Sequence, residues 1–324
     1  MRQLVGRLVG APFLLLGLSA LIYSIPRWTH PEQYPGTSVA AGVRHDVERI
    51  FLHLDFGRAC GWPGCPPIHD MWLRGAPMDL WLLGGAMVIG IWGGIRGGLW
   101  CAQRPRSRAA RTVESAAMLA YCVPVYVVGL GLLVLFNPTF GRFPLPGFFD
   151  ARARWASPFG DPWAWLRTLL VPWLVLAAPL AAMCMRLTLA LTIEALDEHY
   201  TRTAFAKGLT RREVVRRHAG RAAAPATAAF ASVSVPLLVL NVVLVERVLS
   251  VPGFFTYTWR ATGHPPNPND YPPLPDYQMT AALMLWAAVL TIVVSLVLEF
   301  VVVRMDPRVG ASAPGAGLAP ARGA

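Results

Sequence analysis

The sequence predicts an all-α protein that crosses a membrane about six times, and three observations carry that prediction. Hydrophobic residues make up 55% of the chain and charged residues 15%, whereas soluble domains hold about 45–50% apolar and roughly 25% charged residues. The apolar residues fall in long blocks rather than in the narrow stripes of amphipathic helices. The unbalanced positive charge is confined to particular stretches between those blocks.

A helix crossing the hydrocarbon core needs about 20 mostly apolar residues. Blocks of that kind lie at 4–25, 78–95, 113–136, 165–191, 225–249 and 279–303. Arg2 and Arg7 before the first block suit a secretory signal. Its apolar stretch from Val9 to Ile25 nevertheless exceeds the roughly 7–15 residues of a signal core, and no Ala-x-Ala site follows, so it reads as the first span. The second block carries Gly84, Gly85, Gly90, Gly93 and Gly94. Small residues let membrane helices approach closely where lipid supplies no hydrophobic drive between them, so this helix is expected to face protein. Pro172 and Pro179 in the fourth block each remove a helical hydrogen bond, which suits a bend in either a moving or a static helix.

Net charge is +11 and the isoelectric point about 10.1. Nearly all of the basic residues are arginine, Lys207 being the only lysine. Arg96, Arg104, Arg106, Arg108 and Arg111 separate the second and third blocks, and a further group from Arg202 to Arg221 separates the fourth and fifth. Short arginine-rich loops stay on the cytoplasmic side. That rule puts both termini, 96–112 and 192–224 inside, and 27–77, 137–164 and 250–278 outside. The charge therefore encodes topology, with attraction to anionic membrane lipid as a consequence, and no nucleic-acid partner is expected.

The outer segment 27–77 is rich in proline and reads as a small cap, with a short amphipathic helix over 43–54. Cys60 and Cys65, in Cys-Gly-Trp-Pro-Gly-Cys, either close a disulfide in an oxidising compartment or remain two thiols in a turn. Two such ligands are too few for a zinc site. Cys101, Cys122 and Cys184 read as small membrane-facing residues. Six prolines between Pro265 and Pro275 predict an irregular outer loop within 250–278. The chain thus divides into a transmembrane domain over 1–308 and a Gly/Ala/Pro-rich tail over 309–324, for which disorder is expected.

The inner loop over 193–224 carries the most information. Glu194, Asp197 and Glu198 suit the positive end of a helix over 193–206. Lys207 ends that helix and Gly208 supplies a left-handed cap. Thr210 and Glu213 are spaced as a capping box that starts a second helix, running toward Pro225. The result is a stiff helix–Gly–helix knuckle projecting from the membrane.

The string from Glu194 to Leu209, Glu-Ala-Leu-Asp-Glu-His-Tyr-Thr-Arg-Thr-Ala-Phe-Ala-Lys-Gly-Leu, is followed by Arg216-Arg-His-Ala and Pro225. Together they resemble the cytoplasmic signature loop of ATP-binding-cassette importer permeases of the dipeptide, oligopeptide and nickel branch. Arg2 to Leu21, Asp55-Phe-Gly57, Glu246 followed by Pro252-Gly253, and Met305-Asp-Pro-Arg308 resemble further segments of that branch in the same order. The segments 254–278 and 60–67 depart from its pattern. The resemblance implies a type I importer-like permease bundle in the bacterial inner membrane. It implies a second homologous permease subunit, two ATPase subunits and an extracytoplasmic substrate-binding protein as partners. It also implies an ATPase contact made by Tyr200, Arg202, Thr203, Ala204, Ala206, Lys207, Gly208 and Leu209. Short peptides lead as substrate, with nickel complexes, glutathione and oligosaccharides on the same scaffold, and no residue singles one out.

The residues bear independently on the division of labour. Ala-Lys207-Gly-Leu-Thr210 lacks the Gly-x-x-x-x-Gly-Lys-Ser/Thr frame that cradles phosphate, so ATP and Mg are expected on a partner and no cofactor on this chain. His-Glu-x-x-His and Gly-x-Ser-x-Gly are missing, which disfavours an intramembrane enzyme. A transporter or channel driven by an ion gradient is the alternative. It tends to place charge at mid-membrane depth, whereas Asp79, Arg186, Glu246 and Glu299 fall near span ends, where long side chains can snorkel to water.

Overall fold

The computed structural model describes residues 2–29, 31, 38–60, 64–136, 158–261 and 276–305. Its principal helices are α1 (Arg2–Thr29), α2 (Val39–His53), α3 (Ile68–Gln103), α4 (Arg108–Cys122), α5 (Val125–Phe136) and α6 (Pro162–Asp197). They continue as α7 (His199–Ala206), α8 (Arg211–Val214), α9 (Gly220–Val233), α10 (Val235–Leu249), α11 (Thr258–Ala261) and α12 (Tyr277–Met305). Helices α1, α3, α6 and α12 are each long and apolar enough to cross a membrane, and two bent pairs raise the number of spans to six. The proline-rich stretch over 265–275, most of 137–164 and the ending beyond Met305 lie outside the described residues.

Both bends interrupt blocks that the sequence reads as single spans, and both have a proline cause. Helices α4 and α5 meet at 100° because Pro124 disfavours helical geometry at the residue before it. Val123 is accordingly extended, at φ −84° and ψ 124°. Pro236 stands in the first turn of α10, and the chain turns by 56° between α9 and α10 at Ser234. Helix α6, by contrast, runs unbroken through Pro172 and Pro179. The outer cap is smaller than expected, because α1 continues to Thr29 and α3 already starts at Ile68.

The spine of the molecule is the packing of α3 on α6. A Cβ added at Gly94 would stand 2.7 Å from the Ala181 carbonyl and 3.1 Å from the Met185 amide, and one at Gly98 would stand 2.6 Å from the Met185 carbonyl. Glycine at these positions lets two backbones touch; of the five glycines singled out in this block, Gly85, Gly90 and Gly94 face α6, whereas an added Cβ at Gly84 or Gly93 would meet nothing within 4 Å. Leu82, Leu83, Leu169, Leu176, Val239, Val242, Leu249 and Met279 fill the core between α3, α6, α10 and α12. Buried Thr188 and Thr227 hydrogen-bond across α6 and α9 at 2.9 Å, and the indole N–H of Trp173 donates to the Trp81 carbonyl at 2.8 Å.

At one end of the bundle, α2 lies against α1. Its Asp46 pairs with Arg27 at 2.6 Å, and both side chains are about nine-tenths buried. The strand-like contact among the described residues is the Arg58–Pro67 bridge. It closes a loop in which Cys60 and Cys65 are joined as a disulfide. The Arg58 amide donates to Gln278 Oε1 at the start of α12, so this loop is tied to the bundle.

Candidate functional site

The opposite end carries the knuckle. It is built somewhat differently from the expected pair of helices. Helix α6 continues to Asp197, Glu198 then breaks the chain at ψ 151°, and α7 is a separate helix of eight residues. The break is held by Thr201, fully buried, whose hydroxyl donates to the carbonyls of Leu196 at 2.8 Å and Glu198 at 2.7 Å. Of the acidic residues expected at the start of the first knuckle helix, Glu194 and Asp197 therefore belong to the end of α6, and Glu198 alone stands at the start of α7, as its N-cap.

Gly208 takes φ +81°, and a Cβ added there would meet nothing within 4 Å, so its role is the left-handed turn itself. The Leu209 amide donates back to the Ala204 carbonyl at 3.3 Å, closing α7. The capping box forms as expected. The Thr210 amide donates to Glu213 Oε2 at 3.1 Å, and the Glu213 amide donates to Thr210 Oγ1 at 3.4 Å. Beyond Val214 the chain makes a π-helical turn over Val215–Ala219 and passes into α9, which continues through Pro225. Pro225 is thus inside a helix rather than at a boundary.

A small core fixes the knuckle to the bundle. Ala195, Leu196, Ala204, Val214, Val215 and Ala219 pack with Ala102 of α3. The Arg211 guanidinium donates through Nε to the Ala102 carbonyl at 3.0 Å. Together these contacts tie the knuckle to the ends of α3 and α6.

Of the eight residues singled out from the sequence, Tyr200, Arg202, Thr203, Ala206, Lys207 and Gly208 are exposed on one continuous projection. Partial desolvation on the knuckle surface, together with nearby Glu198, pushes the Tyr200 phenol up. Leu209 is half-buried and packs on the small core, while Ala204 is 5% exposed and faces inward. Its place on α7 puts it behind the exposed face, since helical residues two positions apart point in different directions. Arg211 and Ala102 escaped sequence reading, because a donor reaching a carbonyl over a hundred residues away leaves no local pattern.

A second polar feature lies at the far end, and it corrects the expectation of snorkelling. Asp79 and Glu246 are both 0% exposed. Asp79 accepts from the Phe254 amide at 2.8 Å and from the Trp286 indole N–H at 2.6 Å. Arg186, by contrast, is exposed and lies beside Met118. Among the described residues no group of His, Cys, Asp or Glu is arranged to hold a metal.

Residues 94–311 match the family described as binding-protein-dependent transport system inner membrane component. A putative peptide transport system permease protein of Brucella abortus (strain 2308) is 29% identical over 203 residues, 62% of each chain. The match therefore spans less than two thirds of that relative's length. The dipeptide transport system permease protein of Bacillus subtilis (strain 168) is 25% identical over 261 residues, 81% of this chain and 76% of its own. The Escherichia coli (strain K12) protein of the same description is 24% identical over 317 residues, 91% of each chain.

Proposed function

This chain belongs to the family of binding-protein-dependent transport system inner membrane components, and from that membership we propose that it is the channel-forming permease subunit of an ATP-driven peptide importer. It is a multi-pass protein of the bacterial inner membrane, and its family supplies transport components rather than enzymes. The relatives named for peptide and dipeptide transport support short peptides as the substrate class. The partners are a second permease subunit, two ATPase subunits that hold ATP and Mg, and an extracytoplasmic binding protein.

The observation that carries the reading is the rigid, exposed knuckle over 199–214, anchored to α3 and α6. In the proposed cycle the ATPases close on ATP, draw the knuckles of two permeases together and shift the bundle between two packings. The burial of Asp79 and Glu246 removes one argument against an ion-gradient mechanism, but that mechanism offers no role for such a knuckle. The family membership weighs against it as well.

The test is copurification from detergent. Ala206→Arg adds a long charged side chain to an exposed position and leaves the small core untouched. The native chain should bring down an ATPase and a second permease, and the variant should lose the ATPase while keeping the permease. Gly208→Arg should act in the same direction through the turn. If no ATPase associates with the native chain under any crosslinking condition, the importer reading fails.

A further inference from the structure

Asp79 of α3 and Glu246 of α10 converge on Gly253, just beyond the end of α10. A Cβ at Gly253 would overlap Asp79 Oδ1 and Glu246 Oε1 together. Both carboxyls are 0% exposed. The oxygens of Asp79 are occupied by the Phe254 amide and the Trp286 indole. Glu246 is different: the Phe255 and Thr256 amides lie on its side of the turn, yet no N–H or O–H group donates to either of its oxygens with hydrogen-bond geometry.

Nothing among the described residues balances two charges here. No arginine, lysine or histidine pairs with either carboxyl. Of the titratable side chains on the turn beyond Gly253, Tyr257 meets the Phe254 ring edge-on, with centroids 6.1 Å apart. Two adjacent carboxylates without a counter-charge repel strongly, and an uncompensated buried charge is costly. Something must lie between them. Asp79 Oδ1 and Glu246 Oε1 both crowd the Cβ position of Gly253, which brings the two oxygens together, and a single proton is the smallest group that relieves their repulsion.

We propose that Asp79 and Glu246 bind a single proton between them, as an O–H···O hydrogen bond that clasps the 252–254 turn to α3. Through Trp286 the same clasp reaches α12, so one proton joins three elements at the end of the bundle away from the knuckle. Release of the proton leaves two facing carboxylates and pushes the end of α10 from α3. The clasp is therefore fastened when protonated and loosened on deprotonation.

Infrared spectroscopy of the purified full-length chain in lipid nanodiscs tests this without any partner or substrate, so its outcome is separate from that of the transport reading. At pH 7 the native protein should give the carbonyl stretch of one buried protonated carboxyl, resistant to deuterium exchange. The near-isosteric changes Glu246→Gln and Asp79→Asn should each abolish it. A folded native protein without that band overturns the proposal, as does a band that survives both substitutions. Should one variant fail to fold, the other makes the assignment, and the native spectrum alone can still refute it.

Discussion

Glycine does two separable jobs in this chain, and single substitutions distinguish them. Gly94 is buried with the Ala181 carbonyl and the Cys184 Cβ pressed against it, while neighbouring Gly93 has nothing within 4 Å of an added Cβ. Overpacking a tight interface costs about 1–3 kcal/mol, whereas alanine in an open helical position gains up to about 1 kcal/mol over glycine. Gly94→Ala should therefore lower the thermal midpoint in detergent and Gly93→Ala should leave it unchanged or raise it. Gly208 belongs to neither case, because its constraint is the sign of φ and not the space around it. Equal effects at Gly93 and Gly94 would mean that α3 and α6 are not in backbone contact.

At the scale of elements, the sequence reads well wherever the signal is local. Apolar blocks locate the long helices, Gly208 and the Thr210–Glu213 pair locate the knuckle turn, and the stretch 43–54 overlaps α2 as far as His53. What escaped depends on partners distant in sequence. The break at Glu198 is held by a buried threonine, and Asp79 is kept from water by residues of α10 and α12. Pro124 was a readable local signal, yet the uninterrupted hydropathy on either side of it masked a 100° bend. Helix α2 illustrates the reverse dependence, since its amphipathic pattern says nothing of what holds it. The Arg27–Asp46 pair does so, and breaking a buried ion pair from one side costs about 3–5 kcal/mol. Arg27→Met should thus free α2 from α1, raising amide exchange across 39–53 while the exchange of α3 and α6 stays at the native level.

On the scale of the whole molecule, we propose from charge and covalent chemistry that the knuckle end faces the cytoplasm. The knuckle end carries Arg96 over the Trp92 ring at 4.5 Å, Arg104 over Trp100 at 5.0 Å and Arg304 over Phe300 at 5.1 Å. Arginine and aromatic side chains together mark a membrane–water boundary, and the arginine excess marks its cytoplasmic face. The opposite end carries the Cys60–Cys65 disulfide, which persists in oxidising compartments and not in the cytosol. Two unrelated kinds of chemistry therefore support the same proposed orientation, and thiol labelling in intact cells tests it. In a Cys122→Ser background, which removes the exposed free thiol, an impermeant maleimide should label Cys60 and Cys65 from outside only after mild reduction. A cysteine placed at Ala206 should be labelled only after the membrane is opened. Labelling of the Ala206 position in sealed cells would invert the molecule, putting the knuckle on the side where no ATP is available and removing the basis for its docking to an ATPase.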